Sequence, residues 1–224
     1  MRAVCFDLDG TLFDDAQYVR AGFERVAAYL RETHGVETYD ELVWEYYGLG
    51  NYHTVLDRVL ERHGLPESEI PALLDRYHAH DTPLETFPEV DAVLGTLEER
   101  YKLGVITDGR NGRSKIRHLG LEGYFDSICV STEHGFSKHD PDPFEFVLGE
   151  LSVVGDEAAY VGDNPQLDFY WPKRLGLWTI RVRRSTTLFG STDDEERRAE
   201  FVVPDLTSLP AIVAALGTDS PGAD

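Results

Sequence analysis

Beyond residue 102 short apolar runs alternate with helical stretches, and this rhythm limits the chain to few folds. Leu103–Thr107, Ser127–Val130, Ala158–Val161 and Leu177–Val182 read as strands, with Phe201–Val203 as a last short one. Helices are expected at Asn111–Leu119, Pro141–Leu151, Pro165–Leu175 and Ser208–Leu216. Such alternation predicts a doubly wound parallel sheet in an α/β domain. One further strand, Ala3–Phe6, stands apart, because about seventy residues of helical pattern follow it. Tyr18, Phe23, Val26, Ala27 and Leu30 recur there at helix spacing. Further helices fit Tyr39–Tyr47, Tyr52–His63 and Ser68–His80, and another runs from Phe87 to about Tyr101. The expected organisation is a Rossmann-like core of residues 1–13 and 86–216 with a small all-helical domain of residues 14–85 inserted after its first strand. Residues 217–224 read as a disordered tail.

The strand ends carry the chemistry. Ligands of open α/β sheets bind beyond the carboxyl ends of the strands. The first strand ends in Asp7-Leu8-Asp9-Gly10-Thr11, and Leu103–Thr107 leads into Asp108-Gly109-Arg110. A later strand ends in Gly162-Asp163-Asn164, with Asp168 five residues beyond Asp163. Lys138 precedes the helix opened by Asp140-Pro141. Carboxylates gathered around one lysine are costly unless a cation sits among them. Hard oxygen ligands suit Mg²⁺, which also holds substrate phosphate. Asp-x-Asp-Gly also opens calcium loops, but the twelfth position counted from Asp7 is Tyr18 instead of Glu, and a strand leads in where that motif has a helix.

These segments resemble the four motifs of the haloacid dehalogenase superfamily, in order. Phe6-Asp7-Leu8-Asp9-Gly10-Thr11-Leu12 is similar to the first motif and Val105-Ile106-Thr107-Asp108-Gly109 to the second. Lys138-His139-Asp140-Pro141-Asp142-Pro143-Phe144 resembles the third, and Val161-Gly162-Asp163-Asn164-Pro165-Gln166-Leu167-Asp168 the fourth. The helical insertion resembles the cap placed between the first two motifs. Three positions depart from the pattern: His139 for Pro, Leu167 for a common Asn, and Asp108 where Asn is frequent.

The resemblance implies a Mg²⁺-dependent phosphoric monoester hydrolase working through an aspartyl-phosphate on a small phosphorylated metabolite. It implies Asp7 as nucleophile and Asp9 as general acid and base. The metal would be held by Asp7, Asp163 and the Asp9 carbonyl. Phosphate would be held by Thr107, the Gly109 N–H and Lys138, with Asp168 orienting Lys138 or a metal-bound water. Asp9 is expected to be absent from haloacid dehalogenases, because halide leaves without a proton. Phosphonatases of the family carry a cap lysine, and Asp14–Asp81 has none. A phosphomutase of the β-phosphoglucomutase type remains the alternative, with a dehalogenase or a non-catalytic phospho-receiver behind it. Tyr47, Asn51 and His53 of the cap stretch, and Arg110 beside the second motif, are candidates for substrate contact.

Charge narrows the partners. The net charge is -20, with 17 Arg and only 4 Lys. An acidic surface repels nucleic acid and anionic lipid, so neither is an expected partner. Acidic excess with scarce lysine reads as adaptation to a salty cytoplasm, where a Debye length of ~3 Å at ~1 M salt screens self-repulsion. The alternative is an ordinary acidic protein of a GC-rich genome. No signal peptide or membrane span is read, and a cytoplasmic location is expected. Oligomeric state is not readable. Cys5 and Cys129 are expected as buried strand thiols, and the Arg181–Arg184 run as exposed.

Overall fold

All four residues of β1 (Ala3–Phe6) are buried, as a strand with neighbours on both edges and helices on both faces requires. The computed structural model describes residues 1–50, 52, 54–79, 81–186 and 188–217. These fall into two compact units, one of Met1–Asp14 with the chain from Glu85 onward, the other Asp15–Leu84.

The larger unit is built on β1, β2 (Lys102–Thr107), β3 (Ser127–Val130), β4 (Ala158–Gly162), β5 (Trp178–Val182) and β6 (Phe201–Val203). All pairings are parallel, in the order β3-β2-β1-β4-β5-β6. The expected doubly wound sheet is therefore present. The order reverses at β1, whose neighbours are β2 and β4. Phe6 is in register with Val105 and Val161, so three strands end side by side. That juxtaposition is the switch point where such sheets bind ligands. Cys5, Ile106, Cys129, Phe144, Val147 and Tyr160 pack in the core. Both cysteines are free and buried, and burial pushes the Cys5 thiol up to about 12 and the Cys129 thiol up to about 11.

In the smaller unit, α1 (Ala16–His34) packs with α2 (Tyr39–Val43), α3 (Val55–Arg62) and α4 (Ile70–His78). Phe23, Val26, Leu30, Leu42, Leu60 and Leu73 fill its core. The helix expected over Tyr39–Tyr47 stays α-helical only to Val43. Trp44–Gly48 form a π-helical turn, with Leu49 N–H donating to the Trp44 carbonyl at 3.1 Å. Glu45 is fully buried in that turn and is paired with Arg62.

The remaining helices of the larger unit are α5 (Val90–Glu98), α6 (Gly112–His118), α7 (Ser131–His134), α8 (Asp142–Leu151), α9 (Tyr170–Arg174) and α10 (Leu209–Leu216). The one-turn α7 follows β3 directly and is absent from the sequence reading. The helix expected over Pro165–Leu175 is helical only from Tyr170. Before it, the Leu167 and Asp168 N–H groups turn back to the Asn164 carbonyl at 3.1 and 2.9 Å.

Within the arginine run Arg183 is exposed as expected, but Arg181 and Arg184 are not. Arg181 is 5% exposed. Its Nε donates to the Asp163 carbonyl at 3.0 Å, and its Nη2 to the Phe189 and Gly190 carbonyls at 2.6 and 2.9 Å. Arg184 pairs with Glu89 at 2.7 Å, donates to the Thr11 carbonyl at 3.0 Å and stacks over Phe87. A guanidinium is weakly hydrated and carries a planar fork of donors, so fixed carbonyls can replace its water. The tail expected over 217–224 lies outside the described residues except for Gly217.

Candidate active site

Asp7 is the first residue past β1, and its N–H still bonds the Val161 carbonyl of β4 at 2.8 Å. The backbone is thereby fixed where the carboxylate leaves the sheet. Thr11 Oγ1 donates to Asp7 Oδ2 at 3.0 Å, and Lys138 Nζ donates to Oδ1. Asp7 and Lys138 are both buried.

Lys138 is shared. Its Nζ also donates to Asp168 Oδ1 at 2.9 Å. Asp168 Oδ2 accepts the Asn164 N–H at 2.8 Å, and Tyr160 Oη donates to Oδ1 at 3.4 Å. Asp168 thus has both oxygens engaged. The Lys138 backbone is held as well, since its N–H donates to Asp108 Oδ1 and Oδ2 at 3.0 and 3.1 Å. An Asn at 108 would still accept through one oxygen, so the departure at Asp108 leaves the loop anchor intact.

Asp7, Asp163 and Asp168 are all buried and each offers an oxygen within 4.8 Å of the others. Two glycines make the crowding possible. Gly10 has φ +78°, and a Cβ there would lie 2.6 Å from Asp163 Oδ2. A Cβ on Gly162 would meet Asp168 Oδ2 at 2.5 Å. The charge balance is short of cations. Burial above all, then the like charges of Asp168 and Asp9, push the Asp7 carboxyl from 3.8 up to about 7 against the pull of Lys138. Burial pulls Lys138 down, but Asp168 and Asp7 outweigh it and hold the ammonium well above its ordinary value.

Asp9 is partly buried beside this cluster. Thr107 Oγ1 donates to its Oδ2 at 3.2 Å, and the Gly109 N–H donates to Thr107 Oγ1 at 3.3 Å. Its other oxygen is taken by Lys115, at 2.5 Å from Oδ1. The sequence marks none of Lys115, Thr11, Asp108 and Arg181 as a site residue. Thr11 stood inside a quoted motif, but Lys115 has no spacing signal. It is one lysine in a helix with the basic residues Arg113, Arg117 and His118.

Among the candidates for substrate contact, Arg110 is exposed in the loop after β2. Tyr47 packs on the core of the helical unit, in edge contact with Tyr46 at 4.8 Å. Asn51 and His53 lie outside the described residues.

A parallel α/β sheet with acids, a threonine and a lysine gathered at its switch point defines a hydrolase-type site built around a buried aspartate. The haloacid dehalogenase-like hydrolase family model matches residues 4–182, and the chain belongs to that family. A glyceraldehyde 3-phosphate phosphatase of Methanopyrus kandleri is 32% identical over 222 residues, covering 92% of this chain and 91% of the relative. Two solved structures are also similar. A 2-haloacid dehalogenase of Pseudomonas syringae is 28% identical with a TM-score of 0.67, covering 96% of this chain and 99% of its own. A HAD phosphatase of Thermococcus onnurineus is 25% identical with a TM-score of 0.70, covering 95% and 98%.

Proposed function

We propose that this protein is a phosphoric monoester hydrolase that acts on a small phosphorylated metabolite through an aspartyl-phosphate on Asp7. The observation that carries this reading is Asp9. A carboxyl group two residues beyond the nucleophile, held at the same strand ends, serves a leaving group that needs a proton. An alkoxide needs one and a halide does not. The phosphatase name of the Methanopyrus relative supports the same choice over the dehalogenase name of the Pseudomonas structure.

In the first step an Asp7 oxygen attacks phosphorus while the bond from phosphorus to the leaving oxygen breaks. Asp9 gives that oxygen its proton and becomes the carboxylate. In the second step Asp9 takes a proton from water as the water attacks phosphorus, and the Asp7–phosphorus bond breaks. Thr107 and the Gly109 N–H hold phosphoryl oxygens, and Lys138 offsets the charge between nucleophile and phosphate. Asp168 keeps Lys138 aimed at Asp7.

The surplus of buried carboxylate over ammonium fits a hard divalent cation. Asp7, Asp163 and the Asp9 carbonyl would hold Mg²⁺, with Asp168 engaged by Lys138 and the Asn164 N–H. When bound, Mg²⁺ supplies charge neutralisation for the nucleophile and the transferred group. Asp7 makes this testable. Its folded value, about 7, lies above its unfolded value, 3.8. Its contribution to stability is thus fully present below the lower value and is lost as pH rises through the upper one. A cation requires the carboxylate, so the gain in Tm on adding Mg²⁺ to the metal-free protein should grow from about pH 5 to about pH 8. An equal or larger gain at the lower pH contradicts the assignment of Asp7 as a ligand.

The test of function is a panel of phosphorylated sugars, nucleotides and small acids, glyceraldehyde 3-phosphate among them, assayed with Mg²⁺ beside 2-haloacids. Phosphate release without halide release is expected. Halide release without phosphate release overturns the reading, and transfer of phosphate between sugar positions without net release favours the mutase.

The protein is also read as a cytoplasmic enzyme adapted to high salt. All four lysines have a specific acceptor: Lys102 the Leu151 carbonyl, Lys173 the Glu195 carbonyl, and Lys115 and Lys138 the site carboxylates. With a net charge of -20, Tm and activity should rise between ~0.1 and ~2 M KCl as repulsion is screened. A flat or falling Tm over that range contradicts it.

A further inference from the structure

We infer that Lys115 is a positioning residue that locks the Asp9 carboxylate in the orientation its proton transfers need. The inference rests on the acid–base role proposed for Asp9. A carboxylate on a short side chain can turn, and each turn moves the oxygen that must meet the leaving group or the water. Both oxygens are held by donors from different elements in this structure; the single Thr107 hydroxyl proton turns to phosphate when substrate binds, which leaves Lys115 holding Asp9 through Oδ1. Oδ2 accepts from Thr107 at the end of β2 at 3.2 Å, and Oδ1 from Lys115 of α6 at 2.5 Å.

The ammonium itself has little room to move. The Lys115 side chain is 9% exposed. The Phe13 ring, fully buried, lies with its centroid 5.8 Å from Nζ. Gly109 closes in nearby, since a Cβ there would sit 3.4 Å from Lys115 Nζ and 3.5 Å from Asp9 Oδ2. Lysine is also the rarer choice here, 4 against 17 Arg, and two of the four sit in this site. An ammonium is a compact point charge that fits where a planar guanidinium would need a wider slot.

The rival role for Lys115 is a direct grip on substrate phosphate, and the two differ in kinetics. A group that acts through Asp9 lowers kcat without raising KM, whereas a substrate grip raises KM. It also has no work to do once Asp9 is gone. With p-nitrophenyl phosphate as probe, K115M should lower kcat about 10–10²-fold, part of the ~10²–10⁴ that acid–base help supplies. KM should not rise; where the second step limits, it falls together with kcat. In the D9N background, adding K115M should change kcat by less than about twofold, because the coupling between the two sites is then complete.

The double variant also guards against misfolding. K115M alone leaves a charge unpaired, but D9N/K115M removes both charges together. If K115M does not fold, D9N/K115M against D9N decides alone: equal kcat supports the inference and a further loss overturns it. An unchanged kcat, a raised KM with kcat intact, or equal losses in both backgrounds also overturns it. If D9N itself keeps the parental kcat, the role of Asp9 fails first and the inference falls with it. If D9N is impaired and only the Lys115 results disagree, the inference falls alone.

Discussion

Asp9→Asn protein, mixed with an activated aryl phosphate and quenched in acid, should carry a phosphoryl group on Asp7, and Asp7→Asn protein should carry none. The substitution at Asp9 leaves Asp7 with its Thr11 and Lys138 partners. It leaves the Asp9 backbone carbonyl in place as well. What it removes is the proton donor of the first step and the base of the second. An aryl leaving group needs little protonation, so the first step survives better than the second and the intermediate accumulates. The loss in turnover should be about 10²–10⁴-fold. In Asp7→Asn the attacking oxygen is itself replaced, and turnover should fall to background. Intact-protein mass spectrometry reads both results. Phosphorylation of Asp7→Asn would place the nucleophile elsewhere.

Lys138→Met should damage activity and stability together. Its Nζ is shared by two buried carboxylates, those of Asp7 and Asp168, and its side chain is 2% exposed. Breaking a buried pair by removing one partner costs roughly 3–5 kcal/mol, because the other charge is left uncompensated. In a chain of this size that is a fall in Tm of about 10 °C. Activity should fall by about 10²–10³-fold, the loss seen when a single charge-stabilising donor is removed. The two effects separate in a second variant. Lys138→Met with Asp168→Asn removes one of the stranded carboxylates, so stability should partly return while activity stays lost. Thermal unfolding and phosphate release measure this. A Lys138→Met protein as stable as the parent would contradict the charge sharing, and an active one would remove Lys138 from the phosphate site.

The sheet and the acids were legible in the sequence for a physical reason. Buried parallel strands read as short apolar runs, and the polar residue that ends each run falls at the carboxyl edge, where ligands bind. Asp7, Thr107 and Asp163 are each the residue at or just past such an edge. Lys115 was not legible, because its meaning lies in a contact made 106 residues away. Nothing in a helix of Arg, Lys and His marks which cation turns inward. Arg181 and Arg184 were misread for a related reason. A charge run usually faces solvent, but the carbonyls of Asp163, Phe189, Gly190 and Thr11 that receive these two arise from the tertiary fold. The π-helical turn after Val43 escaped because apolar spacing does not separate bonds four residues apart from bonds five apart. The start of α9 was misplaced because residues 165–169 form the turn that delivers Asp168 to Lys138.

The most direct measurement of the central claim is a reaction in H₂¹⁸O, with mass analysis of the released phosphate and of the peptide that holds Asp7. Water that attacks the phosphorus of an aspartyl-phosphate leaves its oxygen in phosphate, and Asp7 keeps both of its own. Water that attacks the carboxyl carbon of an ester, as displacement at a carbon–halogen bond would require, leaves its oxygen in Asp7. Label in the phosphate and none in the Asp7 peptide, after many turnovers, is the predicted result; label in Asp7 would contradict it.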